Sequence, residues 1–218
     1  MKDRVRSFLV FTTLGYRIIA FLVIPVIGIW LGHIFAKEFM MPGYLLTVHL
    51  LVSVEIMIDH FIFGGICAKD VSHLEYLKSS KRGEWVTESA LIGGMVRILL
   101  TMIVVFVGNQ ISLFILFPNE KYTFHPLWVL VALLLCAYGV TLLFVTVSRF
   151  LDMLFAHYVL AIGGALLMFK LAELIEKNVY LGLIVGVILA TTGAIANLKV
   201  AMWRIKESYH DKTVTDGI

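Results

Sequence analysis

Apolar runs of about twenty residues, separated mostly by short polar connectors, make up most of this chain. A helix rises about 1.5 Å per residue, so a run of that length matches the roughly 30 Å hydrocarbon core of a bilayer. The pattern predicts an all-α, polytopic membrane protein with six transmembrane helices. Their predicted bounds are 18–36, 44–66, 91–116, 126–147, 153–171 and 179–202.

The composition excludes a soluble protein. Hydrophobic residues make up 60% of the 218 residues and charged residues only 15%, too little polar surface for a dissolved domain of this size. We therefore expect one transmembrane domain over 1–218. The net charge of +3 belongs to the connectors and does not indicate nucleic-acid binding. Cys67 and Cys136 have neither the placement expected of a disulfide nor a metal-ligand spacing.

Residues 1–17 begin basic and become apolar before the first long run. A cleaved secretory signal is not expected, because the apolar run continues to about Phe35 and no small-residue cleavage site follows it. Two interpretations stay open. Residues 4–15 form an interfacial helix lying on the membrane, or they extend the first span.

The basic residues predict the orientation. With both termini in the cytoplasm, 14 of the 18 lysines and arginines fall on the cytoplasmic side, counting those just inside the spans. This bias is the one that orients multi-pass proteins. We expect a multi-pass protein of the cell membrane with both ends inside.

The longest polar connector, 68–90, lies between the second and third predicted spans, on the cytoplasmic side. Ser72 and Glu75 have the spacing of a capping box at a helix start, and 79–83 is expected to end that short helix. Its apolar side would carry Val71, Leu74 and Leu77. Two interpretations stay open: the helix docks into a partner protein, or it rests on anionic headgroups through its basic residues.

This layout, with the segment 74–83 (LEYLKSSKRG) leading into a third span, resembles the membrane subunit of a small bacterial ABC-2-type exporter. The resemblance implies a homodimer, or a pair with a similar permease, working with a separate ATP-binding cassette subunit that carries ATP and Mg²⁺. This chain itself has no G-x-x-x-x-G-K-[ST] motif. It also departs from many relatives, because 170–178 is short where they have a larger external segment. The residues implied to contact the ATPase are Val71, Leu74, Glu75, Leu77, Lys78 and Arg82.

Several ionisable residues fall inside predicted spans. Charge inside a bilayer is costly, so such groups normally face protein or water and have a partner. Glu55 and Asp59 share a helix face, and Asp59 and Arg97 lie at similar predicted depths of about 10 Å. We therefore expect an Asp59–Arg97 pair, with Glu55 and His60 nearby. The cluster is interpreted either as a polar lining or proton site of a transport path, or as a structural ion pair.

Small residues recur at four-residue spacing in the first and last predicted spans, which indicates close helix packing within the subunit first and a dimer seam second. They are Gly28 with Gly32, and Gly182 with Gly186 and Ala190.

The predicted function is the transmembrane subunit of an ATP-driven exporter of an amphipathic or hydrophobic cargo, such as a peptide, toxin, drug or lipid. No catalytic residue and no metal site are predicted in the chain. The alternatives are a membrane-embedded substrate-binding subunit of an importer, a small secondary carrier, and an intramembrane enzyme. Neither G-x-S-x-G nor H-E-x-x-H occurs.

Overall fold

The computed structural model describes residues 12, 14–39, 44–59, 80–116, 127–149 and 154–215. Within these ranges every residue is helical except Thr12, Ser80, Arg149 and Asn178, and no strand occurs there. The all-α class predicted from the apolar runs is therefore confirmed.

The described residues form six helices. Helix α1 is continuous through Leu14–Ile18, a π-helical turn at Ile19–Val23, and Ile24–Phe39. The others are α2 Tyr44–Asp59, α3 Lys81–Leu116, α4 Leu127–Ser148, α5 Leu154–Lys177 and α6 Val179–Thr215.

Four of these helices are long and apolar enough over their described residues to cross a membrane. These stretches are Leu14–Ile34, Lys81–Ile115, Leu127–Ser148 and Val179–Trp203. They indicate a membrane location. The two further spans expected in α2 and α5 stay predictions.

The π-helical turn of α1 has a cause in the sequence. Pro25 has no backbone N–H, and its ring would clash with the carbonyl of Phe21 in a regular α-helix. The preceding turn widens instead, and the N–H of Ile24 donates to the carbonyl of Ile19, five residues earlier. Helix α1 thus stays continuous past the proline.

The backbones of α4 and α6 approach each other closely. A Cβ atom built on Gly139 of α4 would lie 2.6 Å from the backbone nitrogen of Ala190, and one on Gly193 of α6 would lie 2.9 Å from the carbonyl oxygen of Gly139. Gly186 faces α4 in the same way, at 2.9 Å from Leu135 Cβ. Glycine at these positions lets the two backbones touch. Gly186 therefore serves packing within the subunit, as its spacing predicts.

Two helix ends differ from the prediction. Helix α3 begins at Lys81 rather than 91, because Ser80 caps it: its hydroxyl accepts from the N–H of Gly83 at 2.9 Å and its carbonyl from that of Glu84 at 2.9 Å. Residues 79–83 were expected to break a helix, and 81–83 instead begin one. Helix α6 continues to Thr215, where a polar tail was expected after 203.

The turn between α5 and α6 is a single residue. Helix α5 continues to Lys177, six residues past the predicted end of the fifth span. The side-chain oxygen of Asn178 accepts from the backbone N–H groups of Tyr180 and Leu181, each at 3.1 Å, and so caps α6.

Candidate functional site

Two buried ion pairs lie at one end of the bundle. The first joins α2 to α3. Both terminal nitrogens of Arg97 donate to the carboxylate of Glu55, one of them to Oε1 at 2.8 Å. Arg97 is 4% exposed and Glu55 1%. A two-bond guanidinium–carboxylate pair of this kind is both directional and strong.

The second ion pair joins the end of α2 to the end of α4. Arg149 donates through Nε to Asp59 Oδ2 and through Nη2 to Oδ1, both at 2.7 Å. Its remaining terminal nitrogen donates to the carbonyl oxygen of Asn197 on α6 at 3.2 Å. Asn197 in turn donates to Thr146 Oγ1 of α4 at 3.2 Å. Arg149 thus holds three helix segments together.

The predicted pairing of Asp59 with Arg97 is wrong. Arg97 lies 16 residues, or about 24 Å, from the start of α3 at Lys81, which is farther than the predicted depth of about 10 Å. It meets Glu55, which lies one turn farther from the end of α2 than Asp59 does. Asp59 is left to Arg149, which follows the last residue of α4 and reaches the end of α2.

Tyr16 of α1 completes the site. Its ring centroid lies 6.0 Å from the guanidinium carbon of Arg97, at the limit of a cation–π contact. Tyr16, both ion pairs and Asn197 surround a residual cavity of about 20 Å³, room for about one water molecule. Arg97 Nε faces no hydrogen-bond partner within the described residues. Five of the six helices therefore meet around one small polar cavity.

The charges of the site are balanced within the bundle. Two guanidinium groups balance two carboxylates, and each carboxylate is bound through both oxygens. Removing one partner would leave a buried charge uncompensated, which is far more costly than losing a surface pair. The described part of the chain holds no group of three metal-ligating side chains. The arrangement can hold α2, α3, α4 and α6 in one register.

The other predicted site residues have different outcomes. Arg82 lies exposed in the first turn of α3. His60 and five of the residues proposed to contact an ATPase lie outside the described residues; the five are Val71, Leu74, Glu75, Leu77 and Lys78.

Sequence reasoning missed Arg149, Asn197 and Tyr16. Arg149 falls in the connector between the fourth and fifth predicted spans, and Tyr16 in the segment before the first. One signal was available for Arg149: two acidic residues on one helix face call for two basic partners, and Arg97 supplies only one. Asn197 and Tyr16 carry no such signal, since one polar residue in an apolar helix has many available partners.

A second polar cluster lies toward the other end of the bundle, between α1 and α3. His33 Nδ1 is hydrogen-bonded to the hydroxyl of Ser112. One residue earlier on α1, a Cβ atom on Gly32 would overlap the side chain of Asn109. These contacts fix α1 against the C-terminal half of α3, whereas the ion pairs fix α2 and α4 at the opposite end of the bundle.

Comparisons of the chain with protein-family models, curated proteins and solved structures found no match.

Proposed function

We propose that the chain is the six-span membrane subunit of an ATP-driven exporter, with both termini in the cytoplasm and a separate ATPase acting on the segment before α3. In this topology α2 and α5 also cross the bilayer. The ion pairs then lie in the cytoplasmic half, and the His33–Ser112 contact lies in the outer half.

The length of α3 carries this proposal. Its 36 residues span about 54 Å, which exceeds the roughly 30 Å bilayer core by some 20 Å even when the helix is tilted. The excess lies at the N-terminal end, where the first turns carry Lys81, Arg82 and Glu84. A stiff helical end of this kind transmits a push or pull from a docked partner into the bundle, where Arg97 is tied to α2.

The ion pairs support a subunit that closes at its cytoplasmic end. They bind α2 to α3 and to α4, and the cavity they leave is only about 20 Å³. Passage of an amphipathic cargo would require these helices to separate. Force from outside the chain is therefore the expected trigger for opening.

The secondary-carrier alternative is less well supported. A proton- or ion-coupled carrier needs a carboxylate that is available to its coupling ion. Glu55 and Asp59 instead each accept two hydrogen bonds from a guanidinium group, so both oxygens of each carboxylate are engaged by the protein itself.

The test is whether an ATPase co-purifies with the protein from its native membrane and depends on the segment before α3. Replacing Leu74 and Leu77 with Asp is expected to release the ATPase, because charge on an apolar docking side opposes burial. Tyr180→Asp is the control: it places one such negative charge at a position that is 77% exposed at the opposite end of the bundle.

An ATPase that stays bound to the Leu74→Asp, Leu77→Asp variant with unchanged hydrolysis would contradict the coupling role. A membrane preparation in which the protein moves cargo with no nucleotide present would contradict the whole proposal.

A further inference from the structure

A cleft opens between the C-terminal half of α3 and the N-terminal half of α4, away from the ion pairs. Its volume is about 310 Å³, at the small end of the roughly 300–1,000 Å³ range of ligand pockets. The side chains that line it are apolar apart from one glutamine. They include Ile103, Val107 and Ile111 of α3, Leu127 and Val131 of α4, and Gln110.

The size of the cleft limits what fits. A helix with its side chains is about 10–12 Å across, so it would fill 310 Å³ within about 4 Å of its length, less than one turn. The cleft is therefore too small to enclose a helix of a second copy, which could insert only individual side chains. A single hydrocarbon chain is thin enough to enter lengthwise.

The surroundings of the cleft indicate where that chain comes from. Both walls belong to stretches long and apolar enough to cross a membrane, and the rim residues Val107, Ile111 and Leu127 are 54%, 55% and 69% exposed. The opening therefore faces the hydrocarbon of the bilayer, so the molecules available to it are lipids.

Gln110 lies in the wall of the cleft. It is 8% exposed, and neither Oε1 nor Nε2 has a hydrogen-bond partner among the described residues. The amide itself contributes no polar surface to the cleft, so it reaches a ligand there only after the side chain rotates from one staggered rotamer to another. An unpartnered buried amide is costly in an apolar surrounding, so a carbonyl oxygen that reaches it gains a donor.

We propose that this cleft is a lipid site: one acyl chain of a bilayer lipid fills it, and the ester carbonyl of that chain accepts a hydrogen bond from Gln110 Nε2. The site is separate from the ion pairs and does not depend on the exporter function. In the proposed topology it lies in the outer leaflet.

Occupancy is tested by native mass spectrometry of the full chain released from phospholipid nanodiscs into mild detergent. The wild-type protein is expected to retain one phospholipid through washing. Val107→Phe fills the cleft and should abolish that retention. Val187→Phe is the matched control, because Val187 of α6 is similarly exposed (49% against 54%) and lies outside the cleft.

The role of Gln110 is tested with two phospholipids of identical chains and headgroup, one ester-linked and one ether-linked. The wild-type protein should prefer the ester form by about threefold to tenfold, the ratio that one net hydrogen bond provides. Gln110→Leu should remove this preference, and Gln110→Met offers an unbranched second variant if the first does not accumulate.

Equal lipid retention by the Val107→Phe and wild-type proteins would overturn the site. Equal affinity of the wild-type protein for ester and ether lipids would overturn the role of Gln110. A change of oligomeric state in Val107→Phe, with lipid retention unaltered, would instead make the cleft a subunit contact and equally refute the proposal.

Discussion

The Asp59–Arg149 pair allows the sharpest test of the site. Asp59→Asn keeps the shape of the side chain but removes its charge, leaving a guanidinium group that is 4% exposed without a counter-charge. Two unit charges about 4 Å apart attract by about 4 kcal/mol at an effective dielectric constant of about 20. Breaking a buried pair by changing one partner typically costs about 3–5 kcal/mol. We expect Asp59→Asn to lose stability of that size.

The double variant Asp59→Leu, Arg149→Met separates this cost from the net value of the pair. Replacing both charges with apolar groups of similar volume is often neutral or stabilising. The free energy of unfolding of this variant should therefore lie within about 1 kcal/mol of the wild-type value. If each single variant costs about 3–5 kcal/mol, the coupling energy between the two positions is at least about 5 kcal/mol. If the pair is also a gate, the double variant folds but its transport changes.

The measurement is the free energy of unfolding in detergent micelles, from denaturant titration followed by far-ultraviolet circular dichroism. The internal control is the Lys170–Glu173 pair, whose side chains are 75% and 56% exposed, because an exposed pair contributes at most about 1 kcal/mol. The reasoning would be refuted if Asp59→Asn cost no more than Lys170→Ala.

Three further predictions concern the helices. Gly139→Ala should destabilise the bundle by about 1–3 kcal/mol in the same titration, because its methyl group would meet the α6 backbone. Gly163→Ala should not, because its methyl group would lie 3.6 Å from a phenylalanine ring. Equal effects of the two variants would contradict the close α4–α6 contact. Glu88→Pro should break the projecting end of α3 and lower ATP-dependent transport in vesicles. Lys81→Pro, at the first helical position, should leave both the helix and transport intact. Identical transport by the two variants would argue against force transmission through a stiff α3. Asn178→Ala should cost about 1 kcal/mol through loss of the α6 cap, and Asn178→Asp should retain most of that stability.

The helical class and the position of most helices could be predicted from the sequence, because a run of apolar residues long enough to cross a bilayer has few other outcomes. The start of α3 could not. A glycine shortly after two serines, as in 79–83, is typical of a helix break. Only the structure shows that the Ser80 hydroxyl accepts a hydrogen bond from the N–H of Gly83. A local cap and a local break use the same residue types.

The charged site was predicted in part. Buried charge pointed correctly to Glu55, Asp59 and Arg97, since each needs a partner in an apolar surrounding. The pairing was wrong because it depends on how α3 and the end of α4 pack against α2, which no local sequence pattern specifies. The contact segment for an ATPase stays a prediction, since most of its residues lie outside those that the structure describes.

The distribution of charge among the helices has a consequence for how the chain enters the membrane. Helix α2 carries two acids, and their basic partners come later in the chain, Arg97 on α3 and Arg149 after α4. If α2 spans the bilayer, it meets lipid before either partner has been synthesised, and an unpaired Asp costs at most about 2.5–3.5 kcal/mol at that stage, the value for the centre of a span. A nascent chain halted after α3 would leave Asp59 without a counter-charge. With α2 as a span, integration of the first four helices would be a concerted event, completed only when the end of α4 emerges.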